Sequence, residues 1–549
     1  MIELDIGHRS SRSISIIESG MEGADHGFLP LPILDITGPH SVEWEPPVSG
    51  NLTTTPPVRS AMADTVTFWL NDQLVETDEH EGLLVLDYLR KNRFLTGTKE
   101  GCKEGDCGAC SILIGEVRDG KLVYEPVTSC LVPLGEMHGR HVVSIEGVNL
   151  DGGLNPVQEA MTRRGGAQCG FCTPGFIVSM CWYLMASDDE NPSLKGFQRA
   201  FSGNLCRCTG YSSINRASED LVAAFGPDGQ YGEVWSADDR ISALCGAGLL
   251  PAYFTEIPEK LAQIAPLDEE RHDYADIAEY FVAGGTDLYV QEGEDIPRTN
   301  VKILNRHPEM RGIERDDEAG VFRVGALTSF EAFGQHPEIQ AIMPRMDHYL
   351  YLIASLQLRV RATLSGNIIN ASPIGDMTNL LLALDTTLIF HNGSRERAVA
   401  MKEFFEGYKT YDKDPDEIMI ELLIPIPHDD TRIHFEKVSK REALDIATVN
   451  SAAKLRVDDD GLIREASLTV GGVAAVPLWL EATGQFLCGR PLDAKTVRDG
   501  LAIAHTEMSP ISDVRGSAAY KRLLAHQLLS AHFTELYGDR VSFDALMAG

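Results

Sequence analysis

Nowhere in the 549-residue chain is there a run of eighteen apolar residues, so no segment is long enough to cross a bilayer as a helix. Positive charge is scarce as well. Forty-eight Lys and Arg stand against 81 Asp and Glu, a formal net charge of −33, which argues against nucleic acid or an anionic membrane as the main partner. The G-x-G-x-x-G fingerprint of a Rossmann dinucleotide site is missing. The apolar core of a secretory signal is missing too, and the eleven cysteines are bunched rather than spread as a disulfide framework would need. Bunched thiols read as metal ligands in a reducing compartment, with the cytoplasm as the default.

What is present is enough for several domains. Apolar residues make up 43% of a chain too long for one core. Residues 1–63 show no sustained period, carry many prolines, and are expected to be a disordered extension or the product of a start codon upstream of the native one. TVTFWL, a turn at Asn71-Asp72 and QLVETD then read as a hairpin. Residues 83–95 have helical spacing. SILIGEV and LVYEPVTSCLV read as a second hairpin around Arg118–Lys121. A small α+β unit is expected over 64–147.

A four-helix unit is expected over 148–226. Asn155, Pro156 and Gln158 have the cap, first-turn proline and reach-back residue of a helix start, and Thr173-Pro174 repeats that logic with Thr173 as cap. Residues 227–275 read as a connector. Strands and helices alternate over 276–428, and 429–549 read as an α+β C-terminal domain with two amphipathic helices.

KEGCKEGDCGACSIL sets Cys102, Cys107 and Cys110 at C-x4-C-x2-C, with Cys130 next, the plant-type spacing for a [2Fe–2S] cluster. Gly101, Gly105 and Gly108 let such a loop turn its N–H groups toward sulfur. The competing reading is a four-thiolate zinc site, which usually builds from two short knuckles instead. Cys169/Cys172 and Cys206/Cys208, 33 residues apart, are ambiguous by spacing alone between a second cluster and zinc. Each pair precedes a helix, where outward N–H groups favour thiolate. Cys181, Cys245 and Cys488 are isolated and read as inert.

Taken together, KEGCKEGDCGACSIL, QCGFCTPGF and GNLCRCTGY resemble the iron–sulfur half of the xanthine dehydrogenase/molybdenum hydroxylase family. The resemblance implies a β-grasp ferredoxin-like domain holding one [2Fe–2S] cluster and a four-helix domain holding a second. The gap between the second pair of cysteine pairs is slightly longer than the family pattern, which bears on helix length. FVAGGTDLYVQ and TLSGNIINASPIGDMTN are weaker by themselves: a double glycine after a strand can approach a phosphate or merely make a turn. Both are similar to the family's α+β FAD-binding domain. That similarity implies that Val282, Ala283, Gly284, Gly285, Thr286 and Asp287 meet the pyrophosphate, that Ser365, Gly366, Asn367 and Asp376 line the cofactor, and that Lys437 of KVSKREALDIATVN lies nearest the flavin ring. Gln168 resembles a family residue facing the pterin.

By the same resemblance the chain is expected to act as the electron-transfer subunit beside a large molybdenum–pterin subunit that hydroxylates purine with oxygen from water, in a dimer of heterodimers. Electrons would run from molybdenum through the two clusters to FAD and NAD⁺. An aldehyde or N-heterocycle hydroxylase delivering electrons to oxygen or a quinone stays open, as does a zinc-stapled scaffold.

Overall fold

The computed structural model describes residues 65–267, 278–441 and 443–548. The expectation for residues 1–63 falls outside them. The first sheet is built from β1 (Val66–Leu70), β2 (Gln73–Thr77), β3 (Ser111–Arg118), β4 (Lys121–Thr128) and β5 (His141–Val143), in the order β2-β1-β5-β3-β4. β1 alternates buried and half-buried residues, so Val66, Phe68 and Leu70 enter the core with Val85 and Leu89. The helical spacing of 83–95 folds as one α-turn, Val85–Asp87, continued by a wider π-turn over Tyr88–Asn92. β5 lies parallel to β1 and antiparallel to β3, which closes the grasp around that helix.

The helices Pro156–Arg163, Thr173–Ala186, Leu194–Ala200 and Ser212–Phe225 follow. Asn155 caps the first in a reciprocal box: the Gln158 N–H donates to Asn155 Oδ1 at 2.9 Å, and the Asn155 N–H donates to Gln158 Oε1 at 3.0 Å. At the second helix the cap falls one residue earlier than expected. Cys172 is the N-cap, Thr173 and Pro174 are already helical, and the Thr173 hydroxyl is buried with no hydrogen-bond partner. The stretch read as a connector carries the helices Gly232–Trp235, Arg240–Gly246 and Ile257–Leu261. Its Trp235, Leu244, Leu250 and Phe254 share one core with Phe176 of the helical unit and Tyr124 of the sheet.

In the third part, β6 (Tyr280–Val282) and β7 (Val301–Ile303) form a parallel pair. They pack on Cys110, Cys130 and Leu131 of the first domain. β8 (Ile313–Asp316), β9 (Val321–Gly325), β10 (Thr387–His391), β11 (Glu396–Ala400) and β14 (Ile418–Pro425) make a sheet in the order β11-β10-β14-β9-β8, with a small hairpin of β12 (Phe405–Gly407) and β13 (Thr410–Tyr411). The last part is an antiparallel sheet of β15 (Thr431–Val438), β16 (Val449–Val457), β17 (Ile463–Gly471) and β18 (Leu478–Trp479). The helices Ala494–Glu507 and Ala518–Leu536 supply the residues that close its core. Among the described residues, no helix is long and apolar enough to cross a membrane. The whole is a multidomain α+β chain.

Candidate functional site

The loop between the π-turn and β3 carries Cys102, Cys107 and Cys110, and Cys130 follows β4. The four thiols fall into two hydrogen-bonded pairs, Cys102 with Cys107 and Cys110 with Cys130. Two thiols per pair, two pairs per site, is the donor set that a two-iron rhomb requires. The loop is bent for it: Gly105 and Gly108 have φ of 77° and 63°, and Lys103 is also left-handed at 58°. The Glu104 N–H donates to Cys102 Sγ at 3.3 Å. The hydrogen bond from Cys102 brings Cys107 down to about 6, against the opposing effect of burial.

The second set lies at the starts of the 173–186 and 212–225 helices. Cys172 pairs with Cys206 on the inner side, and Cys208 Sγ lies 3.6 Å from Cys169 Sγ on the outer, exposed side. Burial works against ionisation of Cys206. The Thr209 hydroxyl and the N–H groups of Thr209 and Cys208 overcome it and leave that thiol below its ordinary value. Tyr211, at φ 63°, turns the chain into the 212–225 helix, and its hydroxyl accepts from the Cys206 N–H at 3.1 Å. Cys181, Cys245 and Cys488 belong to neither set.

The two loops touch. The Leu205 N–H donates to the Cys107 carbonyl at 3.0 Å, so a ligand position of one set and the neighbour of a ligand position of the other share a hydrogen bond. Asn204, almost fully buried, donates to the Gly108 carbonyl at 2.9 Å. A Cβ on Gly175 would run into that same carbonyl, so only glycine lets the helix start so close to the loop.

On its other side the first cysteine loop forms part of the wall of a cavity of about 800 Å³, a volume in the range of cofactor pockets. Ala283, Gly284, Gly285, Thr286, Asp287, Gly366, Asn367 and Asp376 line it, together with Glu104 and Asp106 of the cysteine loop. Gly285 has φ of 71°, and a Cβ on Gly284 would strike the Arg361 carbonyl, which leaves bare backbone where a phosphate can approach. Asn367 Oδ1 is occupied by the Thr378 N–H at 3.0 Å and the Thr378 hydroxyl at 2.7 Å. This orients the Asn367 amide.

Three of the expected residues stand behind the wall. Val282 is in β6 with its side chain fully buried. Ser365 is buried and its N–H donates to the Ala326 carbonyl at 3.1 Å. Lys437 is paired with Asp376 at 2.6 Å and donates to the Leu352 carbonyl at 2.8 Å. Asp376 also accepts from Asn450 at 2.6 Å, so a lysine and an amide from the C-terminal sheet together fix the carboxylate at the cavity.

Other residues at the site carry no local signal. Arg361 donates from Nε and Nη2 to the Gly284 carbonyl at 3.2 and 3.0 Å, and grips Glu136 of the first domain at 2.9 and 2.7 Å. Lys409 donates to Asn370, which in turn donates to Asp287. Arg441 and Arg515 reach the cavity from the C-terminal part. Each depends on a long-range meeting that no spacing within one segment announces.

Comparison with known families matches residues 69–134 to the 2Fe-2S iron-sulfur cluster binding domain and 144–219 to the [2Fe-2S] binding domain. Residues 255–427 match the FAD binding domain in molybdopterin dehydrogenase, and 434–536 the CO dehydrogenase flavoprotein C-terminal domain. The chain is similar to xanthine dehydrogenase of Emericella nidulans, 27% identical over 84% of this chain and 38% of that protein. It is similar also to xanthine dehydrogenase 1 of Arabidopsis thaliana, 29% identical over 79% and 37%. It thus spans less than two fifths of the length of these relatives. A solved structure of reconstituted CO dehydrogenase from Oligotropha carboxidovorans is 26% identical, with a TM-score of 0.44, covering 47% of this chain and 89% of that one. The thiol pairs fit two [2Fe–2S] clusters and the glycine-lined cavity fits FAD; these four domains in this order are the architecture of the iron–sulfur and flavin portion of the molybdenum hydroxylases.

Proposed function

We propose that this chain is the electron-transfer portion of a xanthine dehydrogenase. It works beside a molybdenum-bearing partner that hydroxylates xanthine or hypoxanthine with oxygen from water, and it delivers the two electrons released to NAD⁺. When bound, the clusters would carry electrons singly, and the FAD would collect two of them and pass a hydride to the nicotinamide, chemistry that belongs to the cofactors.

The observation that carries this reading is the position of one loop. Residues 102–110 supply three thiols of the first set. They accept the Leu205 hydrogen bond from the second set on one side and line the cavity through Glu104 and Asp106 on the other. These neighbours support the order partner, Cys169/Cys172/Cys206/Cys208, Cys102/Cys107/Cys110/Cys130, FAD. Cys169 and Cys208 are exposed, so the second set faces outward where a partner approaches. Gln168 stands beside them. The choice of xanthine rests on the relatives, which match over most of this chain.

Around the cavity the protein's share is binding and positioning. Gly284 and Gly285 offer backbone to the pyrophosphate, and Gly366, Asn367 and Asp376 hold polar groups toward the rest of the cofactor. Lys437 acts on the flavin through Asp376 rather than by direct contact.

The test is anaerobic addition of xanthine to the complex purified from its own cells. Bleaching of flavin and cluster absorbance that NAD⁺ reverses is the expected result. No bleaching with xanthine, in a sample that NADH does bleach, would leave the wiring standing and overturn the substrate.

A further inference from the structure

Between the two cysteine loops lies a buried polar junction that none of the cofactor assignments uses. Asn204 sits at its centre, two residues before Cys206. Its Nδ2 donates to the Gly108 carbonyl at 2.9 Å and reaches the Ser111 hydroxyl at 3.4 Å, both in the first domain. Its Oδ1 accepts from the Ser179 hydroxyl at 2.8 Å, in the 173–186 helix. Gln357 enters from the third domain. Fully buried, it donates from Nε2 to the Ala200 carbonyl at 2.7 Å, to Ser179 at 3.1 Å and to Asn204 at 3.4 Å.

The directions of these bonds leave little freedom. A carbonyl at Gly108 can only accept, so the amide nitrogen of Asn204 must face the first domain and its oxygen must face Ser179. With Asn204 turned that way, the adjacent Leu205 N–H is aimed at the Cys107 carbonyl. Glycines at 108 and 175 bring the two backbones into contact, and a Cβ at either would collide with the opposite loop. Gln357 then closes the junction from behind, adjoining Leu358, whose side chain packs against Gly105 and lines the flavin cavity.

We infer that Asn204, keyed by Gln357 of the FAD-binding domain, is the positioning residue that fixes the separation and register of the two cluster-bearing loops. Seating of the FAD-binding domain thereby sets the electronic coupling between the clusters. The inference rests on the cluster assignment above. The hydrogen bonds of both side chains go to carbonyl, hydroxyl and amide oxygens rather than to a cysteine sulfur, so the effect is on geometry rather than on ligation.

The experiment compares the wild-type complex with Asn204→Asp and Gln357→Met, each reduced with dithionite and examined by low-temperature electron paramagnetic resonance, with iron and flavin content measured in parallel. Asn204→Asp replaces a donor by an acceptor facing the Gly108 carbonyl, and Gln357→Met keeps volume while removing the donor. Both variants should keep their iron and the two separate cluster signals. They should lose or narrow the magnetic splitting between the clusters and reduce flavin several-fold more slowly on mixing with substrate. An unchanged splitting in both would overturn the inference. So would loss of iron in Gln357→Met, which lies outside both cysteine loops, because that would mark the junction as a folding element alone. A wild-type sample without two cluster signals would instead remove the cluster assignment on which the inference stands.

Discussion

Glu136 and Arg361, from the first and third domains, form a buried two-pronged ion pair at 2.9 and 2.7 Å, and the same guanidinium holds the Gly284 carbonyl at the flavin cavity. Glu136 also receives Arg140 at 2.7 Å and Asn305 at 2.7 Å, so its carboxylate is fully paired though almost completely out of water. Glu136→Gln would leave Arg361 buried without its counter-charge, at a cost of about 3–5 kcal/mol. A lowered melting temperature together with reduced FAD content at unchanged iron content is the expected outcome, checked by differential scanning fluorimetry and cofactor analysis.

The same carboxylate makes stability depend on acid. Burial alone would raise its pKa and favour the neutral acid, but the Arg361 and Arg140 guanidiniums outweigh that and hold Glu136 at about 2. Its folded value is depressed below that of the unfolded chain. The stabilisation is therefore complete above the ordinary glutamate value, about 4.3, and is lost as pH falls from there through about 2. Denaturant melts between pH 6 and pH 3 should show a loss of stability that Glu136→Gln flattens.

Gly284→Ala should cost FAD rather than iron. The added Cβ meets a backbone carbonyl, that of Arg361, which cannot swing aside as a side chain would. Overpacking of this kind costs about 1–3 kcal/mol and displaces the loop that approaches the cofactor. Purified variant should contain substoichiometric flavin with unchanged iron.

Cysteine variants should separate into two classes. Cys206→Ser or Cys110→Ser should lower iron from about four to about two per chain, since each [2Fe–2S] site holds two. Cys181→Ser should leave iron untouched, because Cys181 is buried on the 173–186 helix against Asn155, in neither thiol set. Elemental analysis decides.

Much of this could be read from short stretches, and the reason is physical. The hairpin at Asn71 and the reciprocal cap at Asn155 are local devices whose partners lie within a few residues, and the cysteine motifs are themselves short, although their sulfurs pair with cysteines farther along the chain. The cap at 172–173 was displaced by one residue because Pro174 is tolerated at the second helical position as well as the first. Residues 227–267 hid their helices because the described ones run only four to seven residues, too short to display a period. Glu136 and Arg361 are 225 residues apart, and Asn204 and Gln357 are 153 apart. Nothing in either neighbourhood points to the other, so these junctions appear only when the domains are docked. Lys437 is a middle case: it lies behind the cavity wall, with Asp376 standing between it and the cavity.

The wiring is tested most directly by mixing xanthine anaerobically with the complex carrying Cys206→Ser and following flavin absorbance in a stopped-flow instrument. With the second set broken, flavin should stay oxidised after xanthine and still be reduced by NADH. Flavin reduction by xanthine at the wild-type rate would mean that electrons reach it by another path and would contradict the account.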